Sequence, residues 1–282
     1  MVEHRPWLTA LSYLVLLVGV VVTMLPLWIA FVVSTHPLEN LLTAPIPIWP
    51  GDQLWENYSQ ILGSGIDGYV AVPVLRMMGN SLIMALSITF GKIAISLIAA
   101  YAIVYFRFPL RMLFFWLIFI TLMLPVEVRI LPTFKVVADL GMLNSYAGLS
   151  IPLIASATAT FLFRQFFLTI PDELVEAARI DGAGPLKFFR DILLPLSRTN
   201  VAALFVILFI FGWNQYLWPL LVTTEESYYT VVMGIQRMVN AADTVPLWHL
   251  VMATATLAML PPVFVVVVMQ KLFVKGLVET EK

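Results

Sequence analysis

Residues 176–195 read Glu-Ala-Ala-Arg-Ile-Asp-Gly-Ala-Gly-Pro-Leu-Lys-Phe-Phe-Arg-Asp-Ile-Leu-Leu-Pro, the one long hydrophilic insert between strongly apolar segments. Just upstream, Thr169-Ile170-Pro171-Asp172 has the makings of a helix start: a hydroxyl cap, an early proline and acidic residues in the first turn. The helix that follows, 172–180, should end at Asp181-Gly182, where glycine takes the left-handed conformation common at C-termini. Pro185 suits the first turn of a second helix, 185–193, that stops before Pro195. Leu186, Phe188, Phe189, Ile192 and Leu193 share one side of it, with Lys187, Arg190 and Asp191 elsewhere. Such a helix must press its apolar side into a membrane interface or into a partner's groove. The segment therefore predicts a helix–turn–helix lying across a membrane face.

The rest of the chain supplies the membrane. Of 282 residues, 61% are hydrophobic and 12% charged, with a mean hydropathy of +0.93, whereas roughly a quarter of a soluble domain is charged. Absence of cysteine removes disulfides, thiolate metal sites and cysteine nucleophiles. A net charge of −1 argues against a nucleic-acid partner, which needs a basic face. A hydrocarbon core of roughly 30 Å takes about 20 apolar residues per helix, and six stretches qualify: 11–33, 80–105, 112–130, 141–163, 201–223 and 250–270. The third is the weakest, since only Met112–Val126 precedes Glu127 and Arg129 without a charge. From Pro6 to Leu38 there is no Asp, Glu, Lys or Arg, far beyond the roughly 7–15 residues of a signal core. That run reads as a retained first helix.

Basic residues orient the spans, because cytoplasmic loops carry the Lys/Arg excess. With the N-terminus inside, eleven fall on the cytoplasmic side: Arg5, Arg107, Arg111, Arg164, Arg179, Lys187, Arg190, Arg198, Lys271, Lys275 and Lys282. Four fall outside: Arg76, Arg129, Lys135 and Arg237. Both termini and the 176–195 insert are then cytoplasmic. The first outside loop is rich in Pro and Gly, and Asp52–Leu62 within it suits a short surface helix with Asp52 as its N-cap.

The insert has the form EAA-x3-G-x9-I-x-L-P, met at Glu176, Ala177, Ala178, Gly182, Ile192, Leu194 and Pro195. This resembles the cytoplasmic loop by which ABC-importer permeases dock onto their ATPase subunits. Met78-Gly79-Asn80-Ser81, Ala100-Tyr101-Ala102 with Phe106-Arg107-Phe108-Pro109, and Trp213-Asn214-Gln215-Tyr216 with Pro219 extend the likeness over about 76–270. That range resembles the MetI-like core of carbohydrate-type permeases, the maltose G-type subunits among them. His4–Trp7, Phe108–Arg111, Thr121–Ile130, Ser156–Phe167 and the ending Glu281-Lys282 are similar to the E-type permease subunits of sn-glycerol-3-phosphate uptake systems. Departures cluster in 39–75 and 225–247.

The resemblance implies an all-α inner-membrane protein with six transmembrane helices and the type I ABC-importer permease fold. It divides the chain into a cytoplasmic start and first helix at 1–33, a periplasmic loop at 34–75, a permease core at 76–270 and a cytoplasmic tail at 271–282. The coupling loop is 164–200. It further implies a second permease subunit of a different chain, two ATPase subunits, a periplasmic substrate-binding protein and surrounding membrane lipid. ATP and Mg belong to the ATPase subunits, and this chain carries no cofactor. The expected cargo is sn-glycerol-3-phosphate moved by alternating access, another carbohydrate or polyol being the alternative. Within the loop the resemblance gives Glu176 a basic partner on the ATPase, Gly182 the sharp turn, and Phe188, Phe189 and Ile192 the partner's groove. Ala177, Ala178, Asp181 and Pro195 complete the coupling set.

Charges inside the spans are costly and need partners. Lys92, near the middle of the second span, suits either a phosphate in transit or a structural partner such as Glu127 or backbone carbonyls. Arg129 suits bidentate phosphate binding or an interfacial ion pair in the neighbourhood of Lys135 and Asp139. Trp213, Asn214, Gln215 and Tyr216 put amides and rings mid-span, as a polyol pathway or interhelical hydrogen bonding would use them. Lys92 and Glu127 also prompt a second class of function, a self-sufficient channel or secondary carrier. An enzyme is not supported: His4, His36 and His249 are scattered, and Gly91-Lys92 is no phosphate loop, with Leu86 and Ile93 at its key positions.

Overall fold

The computed structural model describes residues 6–66, 68–121, 124–240 and 245–278. Side chains of Pro6, Val126, Glu127 and the residues after Lys271 lie outside that description. The described residues are helical and loop, with an isolated antiparallel bridge between Ile66 and Val70. By internal contacts the chain divides into Met1–Arg76 with Gly234–Leu260, and Met77–Met233 with Pro261–Lys282.

In the first unit, helix α1 spans Pro6–Ser34, 29 residues or roughly 43 Å. Leu, Val and Trp side chains are exposed along it from Trp7 to Ile29, as expected of a surface whose solvent is lipid. Helix α2, Leu54–Gly63, is tied under its end: Asn57 Nδ2 donates to the Ser34 and His36 carbonyls at 2.9 and 3.0 Å. This corrects the expected N-cap. The helix begins at Leu54, two residues after Asp52, and no side chain caps it. Its entry is held from α1 instead, Gly51 N donating to Thr35 Oγ1 at 2.7 Å and Gln53 N to the Thr35 carbonyl at 2.9 Å.

The second unit is built on α3, Val74–Tyr105. Helix α4, Arg111–Ile120, is only ten residues, roughly 15 Å, and α5, Val126–Asp139, is separate from it. The expected third span of 112–130 is therefore two helices. Pro125 flanks the start of α5 with extended backbone and cannot continue a preceding helix. The fourth span is also broken. Helix α6, Tyr146–Ser150, and one tight turn, Ile151–Leu153, meet α7, Ala157–Phe167, at a bend of 47°. Ser156 restarts the helix, its Oγ accepting from Ala159 N at 3.2 Å.

After the span comes the insert. Helix α8 runs Asp172–Ile180, as expected, but Pro171 occupies the cap position without a side-chain cap. Thr169 Oγ1 donates backward to the Phe166 carbonyl at 2.7 Å, so the expected hydroxyl cap does not form. Helix α9, Pro185–Phe188, opens into a wider turn at Phe189–Leu193 and resumes as α10, Leu194–Leu196. The helix thus passes Pro195 where a stop was expected. Regular bonding would press the proline ring on the Asp191 carbonyl, and widening the preceding turn makes room for it.

Helix α11, Arg198–Trp213, leaves α10 at 70° and breaks before α12, Leu217–Val222. Pro219 lacks the N–H that would bond the Gln215 carbonyl, which explains the break at 214–216. A Cβ on Gly212 would sit 2.9 Å from Ala85 Cα, so glycine is what lets α11 touch α3. The chain ends through α13, Val231–Val239, and α14, Trp248–Val278, which carries Pro261 and Pro262 inside it. Among the described residues three helices (α1, α3 and α14) are long and apolar enough to cross a bilayer alone, and counting each bent pair as one span brings the number to five. The short α4 accounts for the remaining apolar stretch.

Candidate functional site

The insert packs against the Tyr105 end of α3. Ala178, Phe188 and Leu193 belong to the same buried cluster as Ile93, Leu97 and Ala100 of α3, with Phe163 and Phe167 of α7. Aromatic rings make the joint. Phe188 lies 5.3 Å from Tyr105, edge-on, and 6.5 Å from Tyr101, stacked; Phe189 lies 5.0 Å from Tyr101. Tyr101 Oη donates to the Pro185 carbonyl at 2.8 Å and Tyr105 Oη to the Phe167 carbonyl at 3.3 Å, so each partly buried ring keeps its polar tip satisfied. The turn between α8 and α9 is closed by Ala183 N on the Ala178 carbonyl at 2.8 Å and Gly182 N on the Arg179 carbonyl at 3.0 Å. Gly182 has φ +69°, the left-handed residue of this C-cap.

This arrangement separates the motif residues into two sets. Ala178 is buried, and a larger side chain would meet the ring cluster; Ala177 is exposed, beside exposed Glu176. Phe188 is 6% exposed and Leu193 fully buried, with Phe189 and Ile192 partly buried. The apolar side 188/189/192/193 thus faces the chain's own core, not outward as the sequence placed it. Leu186, assigned to that same side, points the other way at 78% exposure, and Ile180 is 86% exposed. The reason is the aromatic end of α3: Tyr101 and Tyr105 offer a closer apolar partner than anything outside the chain. The outward face is then Glu176, Ala177, Ile180, Asp181 and Leu186, with Pro195 half-buried at the far end. Arg190 and Asp191 pair beside it at 2.8 Å, an exposed pair that contributes little. A cleft of about 510 Å³ lined by Tyr101, Tyr105, Arg107, Val175, Arg179 and Phe188 opens next to the turn.

A second constellation lies deeper. Lys92 is 7% exposed, its Nζ 3.8 Å from the centroid of the Phe211 ring. With Arg129, Thr133, Phe211, Gln215 and Trp218 it lines a cavity of about 290 Å³. Arg129 and Thr133 are one helical turn apart on α5, joined by Thr133 Oγ1 donating to the Arg129 carbonyl at 2.7 Å. Asp139 and Arg129, both described, form no ion pair, and the Glu127 alternative for Lys92 lies outside the described side chains. Of the expected quartet only Gln215 reaches this cavity. Trp213 is buried instead against Phe209, rings 5.9 Å apart; Asn214 is exposed and Tyr216 flanks α12. Thr133, Phe211 and Trp218 were missed in the sequence. Only the i, i+4 spacing from Arg129 to Thr133 hinted at one of them.

Residues 92–279 match the family described as the binding-protein-dependent transport system inner membrane component. The chain belongs to that family. Curated relatives are similar over their whole length: the sn-glycerol-3-phosphate transport system permease proteins UgpE of Brucella melitensis and Rhizobium meliloti are each 58% identical over 282 residues, with both chains fully covered. The corresponding protein of Escherichia coli O1:K1 is 57% identical over the same span. Among solved structures, a chain of a bacterial ABC transporter involved in the import of the acidic polysaccharide alginate superposes with a TM-score of 0.81 at 19% identity, covering 96% of this chain and 98% of that one. That likeness carries the fold. As a member of an inner-membrane transport family, the chain is a transport subunit.

Proposed function

We propose that this chain is the permease subunit of an ATP-driven importer of sn-glycerol-3-phosphate, coupled to its ATPase through residues 176–195. The observation that carries the reading is the insert's construction: a motif face left bare on one side and an aromatic core shared with α3 on the other. Glu176, Ala177, Ile180, Asp181 and Leu186 meet the ATPase, while Gly182 sets the angle between the two short helices. Ala178, Phe188, Phe189 and Ile192 transmit movement of the loop to α3, because a close-packed core moves as a unit and does not stretch. Pro195 and the wide turn before it fix the angle at which the loop joins α11.

In this reading two ATPase subunits bind ATP and Mg, close on each other, and carry the loops with them; a second permease of a different chain completes the pathway. A periplasmic binding protein delivers cargo to the outer face, near 34–75 and 225–247. Both termini are cytoplasmic, as the basic-residue bias supports. The cargo follows from the full-length relatives at 57–58% identity. Proteoliposomes holding this chain, its partner permease and the ATPase, supplied with the binding protein and enclosed ATP, are expected to accumulate sn-glycerol-3-phosphate and not maltose. Maltose uptake alone would overturn the cargo; equal uptake by this chain without ATPase would overturn the coupling and favour a channel.

A further inference from the structure

The cavity at Lys92 brings together two cations that the fold itself does not explain. Lys92 lies 13 residues from the Tyr105 end of α3, roughly 20 Å along the helix, so it sits well inside the membrane. A central lysine or arginine costs roughly 2.5–3.5 kcal/mol to insert. The Phe211 ring offsets part of that for Lys92. Among the described residues no aromatic ring does the same for Arg129, and the charge that shares its cavity has the same sign. Among the described residues the lining holds no carboxylate. Two like charges facing one cavity repel, and an anion placed between them relieves both.

We propose that this cavity is a transit site for a phosphate monoester, held by Lys92 and Arg129 as it crosses. The proposal rests on the importer reading above and adds the place in the pathway where the charged end of the cargo is held. Arg129 presents a planar fork suited to two phosphate oxygens, and Lys92 a point charge. Thr133 and Gln215 put a hydroxyl and an amide beside them, acceptors for the hydroxyls of a polyol. Size restricts the class: about 290 Å³ is at or below the small end of the roughly 300–1,000 Å³ typical of ligand pockets. A three-carbon phosphate ester suits that space and a disaccharide does not. The break at 214–216 also places Gln215 on backbone that can shift without unwinding a helix, so the site can open as α11, which carries Phe211, moves.

Because the chain has no cysteine, single thiols report the site cleanly in a full assembly whose other chains are cysteine-free. Thr133→Cys, with Gln215→Cys as the second reporter should the first fail to assemble, is placed in phosphatidylcholine nanodiscs. The anionic sulfonatoethyl methanethiosulfonate should react at least about tenfold faster than the cationic trimethylammonioethyl reagent, as two cations concentrate anions in a cleft. Adding Lys92→Gln and Arg129→Gln together should bring the ratio near one. Inorganic phosphate or sn-glycerol-3-phosphate should slow the reaction several-fold, and glycerol should not. A flat reagent ratio in the otherwise unchanged chain, as neutralisation by Glu127 would produce, overturns the proposal. So does protection that requires anionic lipid in the nanodisc and is absent with soluble phosphate, which would make the cavity a headgroup site. The importer reading fails separately, by loss of ATP-dependent uptake, since thiol protection by inorganic phosphate needs neither ATP nor the correct cargo.

Discussion

Phe188→Ala is expected to leave the ATPase bound and hydrolysing ATP while uptake falls by an order of magnitude or more. The ring is buried between Tyr101 and Tyr105, at the joint through which the loop is packed onto α3. Deleting a buried phenylalanine costs roughly 3–5 kcal/mol, and here the loss falls on one interface, between insert and α3. The outward residues Glu176, Ala177 and Leu186 remain in place, so docking survives. What is lost is transmission, because the loop can then move without carrying α3. Phe188→Leu, which refills most of the volume, should recover much of the uptake. ATPase activity and uptake measured on the same proteoliposomes check this; if the two fall in parallel, Phe188 acts in docking instead.

Glu176→Lys should give the opposite pattern. Its side chain is exposed beside Ala177 and packs against nothing that a lysine would disturb, so insertion and thermal stability should be unchanged. Reversing a charge at an interface typically costs roughly 2–5 kcal/mol, at least about thirtyfold in affinity. The ATPase should therefore wash off during purification, and uptake should fall with it. The check is the ratio of ATPase to permease after affinity purification. A normal ratio with normal uptake would remove Glu176 from the interface.

The insert, its two helices and the turn at Gly182 were legible in the sequence, because prolines, first-turn acids and glycine act locally. Helix α8 came out at its expected bounds for that reason. The direction of the apolar side did not, since a helical stripe says that residues 188, 189, 192 and 193 need cover but not who provides it. Tyr101 and Tyr105, some eighty residues earlier, were visible only as the end of an apolar span. The third span failed similarly: hydropathy continued through Thr121–Val126, while α4 ends at Ile120 and α5 starts afresh after Pro125. Lys92 stood out by the cost of its charge, whereas its cavity required α5 and the break at Pro219 to meet, and no local pattern encodes that meeting. Asn214 and Tyr216 look like pathway residues by composition, yet the backbone turn at 214–216 directs them away from it.

The central claim is that one side of the insert meets the ATPase and the other meets α3. Site-directed cross-linking tests it most directly, with single cysteines at Ala177, Leu186 and Phe188 carrying a short photo-activated linker in the assembled transporter. Cross-links to the ATPase subunit are predicted from Ala177 and Leu186 and none from Phe188, which should join only α3. Cross-links to the ATPase from Phe188, with none from Ala177 or Leu186, would contradict the account.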